Sequence, residues 1–74
     1  MSDGFRWVAS GDNWMMPVGG VIYLLQKVML AQTGAVVWVI YKKIHEGPTY
    51  NIGAQPELAD AKTIAHFDAI CWNN

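Results

Sequence analysis

Two residues near the C-terminus, a histidine and a cysteine, are the first candidates for catalysis. His66 and Cys71 have the side chains of a general base and a nucleophile, but they lie five residues apart. On a helix this spacing turns them in different directions, because residues that share a face are three or four positions apart. We therefore expect no catalytic pair and no enzyme activity. Cys71 lies beside an apolar stripe, where cysteine usually packs as a small hydrophobic residue.

Metal and phosphate sites are also unsupported by residue spacing. A structural zinc site needs four Cys or His ligands, whereas this chain has one Cys and two His. Gly19 and Gly20 lack the lysine and the strand–loop–helix context of a phosphate-binding loop. The sequence thus predicts no metal and no cofactor.

A charged segment beside two aromatic residues has the composition of a contact surface. Trp and Tyr are enriched at binding hot spots, and charged side chains are typical of the surrounding rim. The simpler alternative for the charged segment is a solvated turn. The partner-binding hypothesis comprises six residues: Tyr23, Trp38, Tyr41, Lys42, Lys43 and Glu46.

An acidic residue falls inside the apolar face of the predicted C-terminal helix. Asp68 lies among Ala61, Ile64 and Ala65 in the helical pattern. A carboxylate in such a position needs a partner, because burying an unpaired charge is costly. The candidates are Arg6 and Lys27, and fraying of the helix end is the alternative.

The elements that position these residues are predicted from hydrophobic pattern and turn residues. Segment 21–30 fits either a helix or a strand, and we favour a strand because no N-cap residue precedes it. Segment 36–44 is the clearest strand, since it is β-branched and aromatic almost throughout. The Pro17 ring places the preceding strand at an edge. The predicted strands are 5–8, 14–18, 21–30, 36–44 and 50–53, separated by turns at 10–13, 19–20, 32–34 and 45–48.

Segment 56–71 is predicted to be the single helix. Pro56 suits a first helical position, and Glu57 favours the positive end of the helix dipole. Its apolar face would comprise Leu58, Ala61, Ile64, Ala65, Ala69 and Trp72, opposite Lys62, Thr63 and His66. The predicted fold is α+β: a small antiparallel meander of three to five strands, packed by one C-terminal helix, in a single domain over 1–74.

Segment 21–41 has a competing interpretation as a membrane span. It contains 21 residues with one charge and is followed by two lysines. Lys27 inside the segment and a turn at 32–34 count against it. A small membrane protein remains the further alternative.

Bulk composition limits the partners. The chain has five Lys and Arg and six Asp and Glu. It therefore lacks the excess of positive charge with which proteins bind the phosphate backbone of nucleic acids. A nucleic-acid-binding module is therefore an alternative and not the leading function. A single unpaired cysteine and the lack of a signal-peptide pattern lead us to expect a cytoplasmic protein.

Both faces of the two central strands are apolar by alternation, and one helix covers only one face of a sheet. An uncovered apolar face of this kind marks an interface. Three coverings remain open: an N-terminal segment carrying Phe5, Trp7 and Trp14, a homodimer, or a different protein.

The arrangement resembles a class of small phage and prophage accessory proteins. The residues that carry the resemblance are a W-x-x-x-V-G-G-V hairpin over 14–21, a second strand bearing Trp38, and the L-A-D-A-K segment at 58–62. Members include anti-CRISPR and other anti-defence inhibitors that occlude protein surfaces without catalysis. The resemblance implies a phage-encoded inhibitor acting in the host cytoplasm on a host defence component.

Overall fold

Five antiparallel strands follow one another along the chain and pair in the same order, forming one meander sheet closed by a C-terminal helix. The computed structural model describes residues 6–72. The predicted α+β class is confirmed. The elements are β1 (Val8–Ser10), β2 (Asn13–Val18), β3 (Val21–Met29), β4 (Val36–Ile44), β5 (Thr49–Gln55) and α1 (Leu58–Trp72).

The turn between β2 and β3 is the two-residue glycine turn that the sequence predicts. Val18 pairs with Val21, and Gly19 has a φ of 58°, a conformation that a residue without Cβ adopts at little cost. The strand prediction for this part of the chain is confirmed, since β3 runs over nine residues.

A second turn divides segment 21–41 into two strands. The Leu30 amide donates to the Ala35 carbonyl at 2.8 Å, and the Gly34 amide donates to the Leu30 carbonyl at 2.7 Å. Within residues 6–72, no helix has both the length and the apolar character needed to cross a membrane. The interpretation of this segment as a membrane-spanning helix is therefore wrong.

The two outer strands differ from their predicted bounds. β1 begins at Val8, and Phe5 lies outside the described residues. The predicted edge position of β2 is wrong, because β2 lies between β1 and β3. β1 pairs with Asn13–Met15 only, so the missing amide of Pro17 costs no hydrogen bond to β1. β5 is longer than predicted, because pairing continues beyond a bulge opposite Ile40 and Tyr41.

Helix α1 packs on the sheet through small side chains. It begins at Leu58, two residues later than predicted, and the first bond runs from the Ala61 amide to the Glu57 carbonyl at 3.1 Å. Three alanines at four-residue spacing are fully buried, which brings the helix close to the strands. The buried core comprises Met16, Val18, Val21, Tyr23, Leu25, Ile40, Ala61, Ala65 and Ala69.

Candidate protein-binding surface

The alternation of side chains gives the sheet two faces of similar apolar character. Directly paired residues on neighbouring strands share a face. We call the side that α1 covers the helix face; it carries Trp14, Met16, Val18, Val21, Tyr23, Leu25, Trp38, Ile40, Lys42 and Ile44. We call the other side the open face; it carries Met15, Pro17, Ile22, Leu24, Gln26, Val28, Val37, Val39, Tyr41 and Lys43.

No element formed by residues 6–72 covers the open face. Helix α1 contacts β3, β4 and β5, and its buried alanines join the core cluster on the helix face. Trp7 and Trp14 also pack against that cluster. The expectation that these tryptophans fold over the second face is therefore wrong, and Phe5 lies outside the described residues.

Leu24 lies near the middle of the open face, between Met15 on β2 and Tyr41 on β4. All three side chains are partly exposed, since only their strand neighbours shield them. Lys43 is exposed at one end of the face and is its only charged residue. The surface therefore combines an apolar centre with a single cation at its margin.

The six residues predicted to bind a partner do not form one surface. Tyr41 and Lys43 lie on the open face, while Trp38 is partly buried on the helix face and packs against the core. Glu46 is exposed in the turn after β4, where its φ is 56° and its carboxylate lies 3.6 Å from the His45 imidazole. Trp38 therefore points to the opposite side of the sheet from Tyr41. Glu46 lies in the turn and belongs to neither face.

The prediction is wrong for Tyr23 and Lys42. Tyr23 has no exposed surface and Lys42 is only 7% exposed, so neither side chain reaches a partner at the surface. Both lie on the helix face, as a directly paired couple on β3 and β4.

Asp68 on α1 joins these two residues in a polar network beneath the helix. Its Oδ2 atom accepts a hydrogen bond from the Tyr23 hydroxyl at 2.6 Å and lies 2.8 Å from Lys42 Nζ. The acid therefore has the cationic partner it requires, but that partner is Lys42 and not Arg6 or Lys27. Every buried side-chain nitrogen and oxygen atom in the described part of the chain has a hydrogen-bond partner.

The network shifts the titration of two of its members. Burial raises the pKa of Asp68, but hydrogen bonds from Lys42 and Tyr23 and the positive charge of Lys42 outweigh it, so the pKa lies below its usual value. Burial, the hydrogen bond to Asp68 and the negative charge of Asp68 all raise the pKa of Tyr23 well above its usual value. The lowered pKa keeps Asp68 a carboxylate at neutral pH, and the raised pKa keeps Tyr23 a neutral phenol that donates to it.

A second polar contact lies toward the N-terminal half of α1. Lys62 Nζ lies 3.9 Å from the centre of the Trp14 ring and 5.9 Å from that of Trp7, both within cation–π range. A shallow cavity beside it is lined by Trp7, Lys62, Thr63, His66 and Phe67. Lys62 therefore fixes the N-terminal tryptophans to the helix.

The polar network could have been predicted from the alternation of residues along β4 and the helical arc of α1, but not from residue types alone. Alternation along β4 puts Lys42 on the same face as Trp38 and Ile40, and Asp68 falls in the apolar arc of the helix. If the sheet face that packs against the helix is known, a lysine on that face and an aspartate on the facing side of the helix predict an ion pair. Cys71 is exposed on the helix, so its assignment to the core is wrong.

The described residues, 6–72, contain no cluster of three His, Cys, Asp or Glu side chains able to hold a metal ion. Comparison of the chain with protein-family models, curated proteins and solved structures finds no match. Its function is therefore inferred from its own residues.

Proposed function

We propose that this is a non-catalytic protein-binding protein whose interface is the open face. The observation that carries the proposal is a largely apolar sheet surface, interrupted by Gln26, that residues 6–72 leave uncovered, whereas α1 packs on the opposite side of the sheet. Antiparallel sheets with one exposed face normally alternate apolar and polar residues, whereas β3 and β4 are mostly apolar on both faces. A large uncovered apolar surface is typical of a protein–protein interface.

The size of the open face suits a small interface. Strands β3 and β4 each span nine residues. With the six residues of β2, at about 3.4 Å per residue and about 4.8 Å between strands, the open face presents on the order of 390 Å² in projection. Specific interfaces at the lower end of the stable range bury about 600 Å² on each partner. The open face is therefore smaller than a stable interface of this class, and it suits a weak or transient one.

Paired charge substitutions test the assignment. Leu24→Asp places a carboxylate in the centre of the open face, and Phe67→Asp places the same group on the outer side of α1, where Phe67 is 63% exposed. Tagged wild-type protein and both variants are compared for the proteins they retain from cells of the source organism. We expect Leu24→Asp to lose the specific interaction and Phe67→Asp to keep it. Loss with Phe67→Asp alone would place the interface on the helix.

The resemblance to anti-defence proteins supports a specific class of target within this proposal. An inhibitor that acts by occlusion needs a complementary surface and no reactive group. In cells carrying an active CRISPR system, expression of the wild-type chain is expected to restore plating of a targeted phage. Leu24→Asp is expected to abolish the effect. If plating stays low with the wild-type chain, the CRISPR system is not the target, and the open face binds a different protein.

A further inference from the structure

We propose that the partner on the open face is a second copy of this chain, so that two sheets pack face to face in a symmetric dimer. This inference rests on the open face being a protein-binding surface. The partner is identified from the composition of the open face and from the position of Lys43, its one charged residue.

The chemistry of the open face is self-complementary. In a two-fold dimer the same patch of both copies is in contact, so the patch must be complementary to itself in shape and charge. Leu24, Val39 and Tyr41 in the middle of the patch carry no charge, so two copies meet without burying like charges. A partner with a charged surface would gain little from such a patch, whereas an identical apolar patch matches it in size and polarity.

The position of Lys43 selects one orientation. Lys43 lies near the end of β4, six residues beyond Val37 at the other end of the open face. If the two-fold axis crosses the strands, the two sheets run antiparallel and the two Lys43 ammonium groups lie at opposite ends. Their separation is then about 20 Å, well over the screening length of about 8 Å at physiological ionic strength. Both charges stay at the margin in contact with water.

The area agrees with a weak dimer. Each copy contributes on the order of 390 Å² of projected surface, below the roughly 600 Å² per partner of the smallest stable interfaces, so the dimer is expected to dissociate on dilution. Aligned sheets pack about 10 Å apart with interdigitating side chains, as in a sandwich core. The assembly has four layers, helix–sheet–sheet–helix, with Phe67 and Ile70 on its outer surfaces, where both are exposed.

Sedimentation velocity and light scattering on the full chain, diluted from about 200 to about 1 µM, test this directly. We expect a dimer that dissociates in the micromolar range and becomes monomeric on dilution. Leu24→Asp and, as a second open-face variant, Tyr41→Asp are expected to raise the dissociation constant at least about 100-fold. Phe67→Asp is the matched control and is expected to leave it unchanged. Far-UV circular dichroism establishes that each variant is folded.

The possible failures are distinguishable. A wild-type chain that is monomeric at every concentration overturns the dimer, and loss of capture by Leu24→Asp in the lysate experiment then assigns the face to a different protein. A monomer whose captured proteins are unaffected by Leu24→Asp overturns both proposals and shows that those proteins bind elsewhere on the chain. A dimer that is broken by Phe67→Asp but not by Leu24→Asp or Tyr41→Asp overturns the assignment to the open face.

Discussion

The two faces of the sheet are built from the same alternating strands, yet the structure completes only one of them. On the helix face, α1 buries Tyr23, Leu25 and Ile40 and supplies Asp68 to the only buried cation in the described part of the chain. On the open face, Leu24, Val39 and Tyr41 are as apolar but only partly buried. A residue's type thus does not say whether it belongs to a core or to an interface, since that depends on where the single helix packs.

The largest expected difference between the faces is in stability. Leu25→Ala creates a cavity beneath α1 and is expected to lower the free energy of unfolding by about 2–5 kcal/mol. Leu24→Ala, one residue away on the open face, is expected to cost less than about 1 kcal/mol in dilute protein. Urea unfolding followed by tryptophan fluorescence measures both. Equal costs would show that the open face is covered within the monomer.

The paired lysines at the end of β4 give the next contrast. Lys42→Met removes the ion pair with Asp68 beneath the helix and is expected to cost about 2–4 kcal/mol. Lys43→Met, on the open face, is expected to stay within about 0.5 kcal/mol. Thermal unfolding by circular dichroism compares the two variants. If Lys42→Met proved neutral, Asp68 and Tyr23 would have to be satisfied equally well without the cation.

Acidification weakens the helix face selectively. A carboxyl group whose pKa is lower in the folded protein than in the unfolded chain stabilises the fold above its unfolded pKa, and this contribution is lost as pH falls through the folded value. Asp68 is such a group. We expect the stability difference between wild type and Asp68→Asn to be large at about pH 7 and to shrink below about pH 4. Urea unfolding across this range measures the difference, and a constant difference would contradict the role of the charge.

The smallest expected effect concerns the tryptophans that the helix holds. Lys62→Met removes the cation above Trp14 and is expected to cost about 0.5–1 kcal/mol while changing the tryptophan emission. Lys27→Met, at an exposed position on β3, serves as the control. A variant with unchanged stability and emission would show that Trp7 and Trp14 pack on the helix side without help from Lys62.

The fold was predictable because its signals are local. The glycine turn at 19–20, the breaks at 32–34 and 45–48, and the β-branched run of β4 each depend on a few neighbouring residues. The site was less predictable, because it depends on packing across the sheet. Trp38 and Tyr41 are close in sequence but lie on opposite faces, and Lys42 meets Asp68 across 26 positions of the chain. Alternation separates the faces correctly, whereas only the position of α1 shows which residues stay exposed.

The exposed Cys71 allows a direct measurement of whether the open face is the interface between two copies. A spin label on this cysteine in each copy reports the distance between the two helices by double electron–electron resonance. Face-to-face sheets place the helices in the outer layers, so we expect a separation of at least about 30 Å across the four layers. A separation below about 20 Å, as expected for helices packed about 8–10 Å apart, would contradict it.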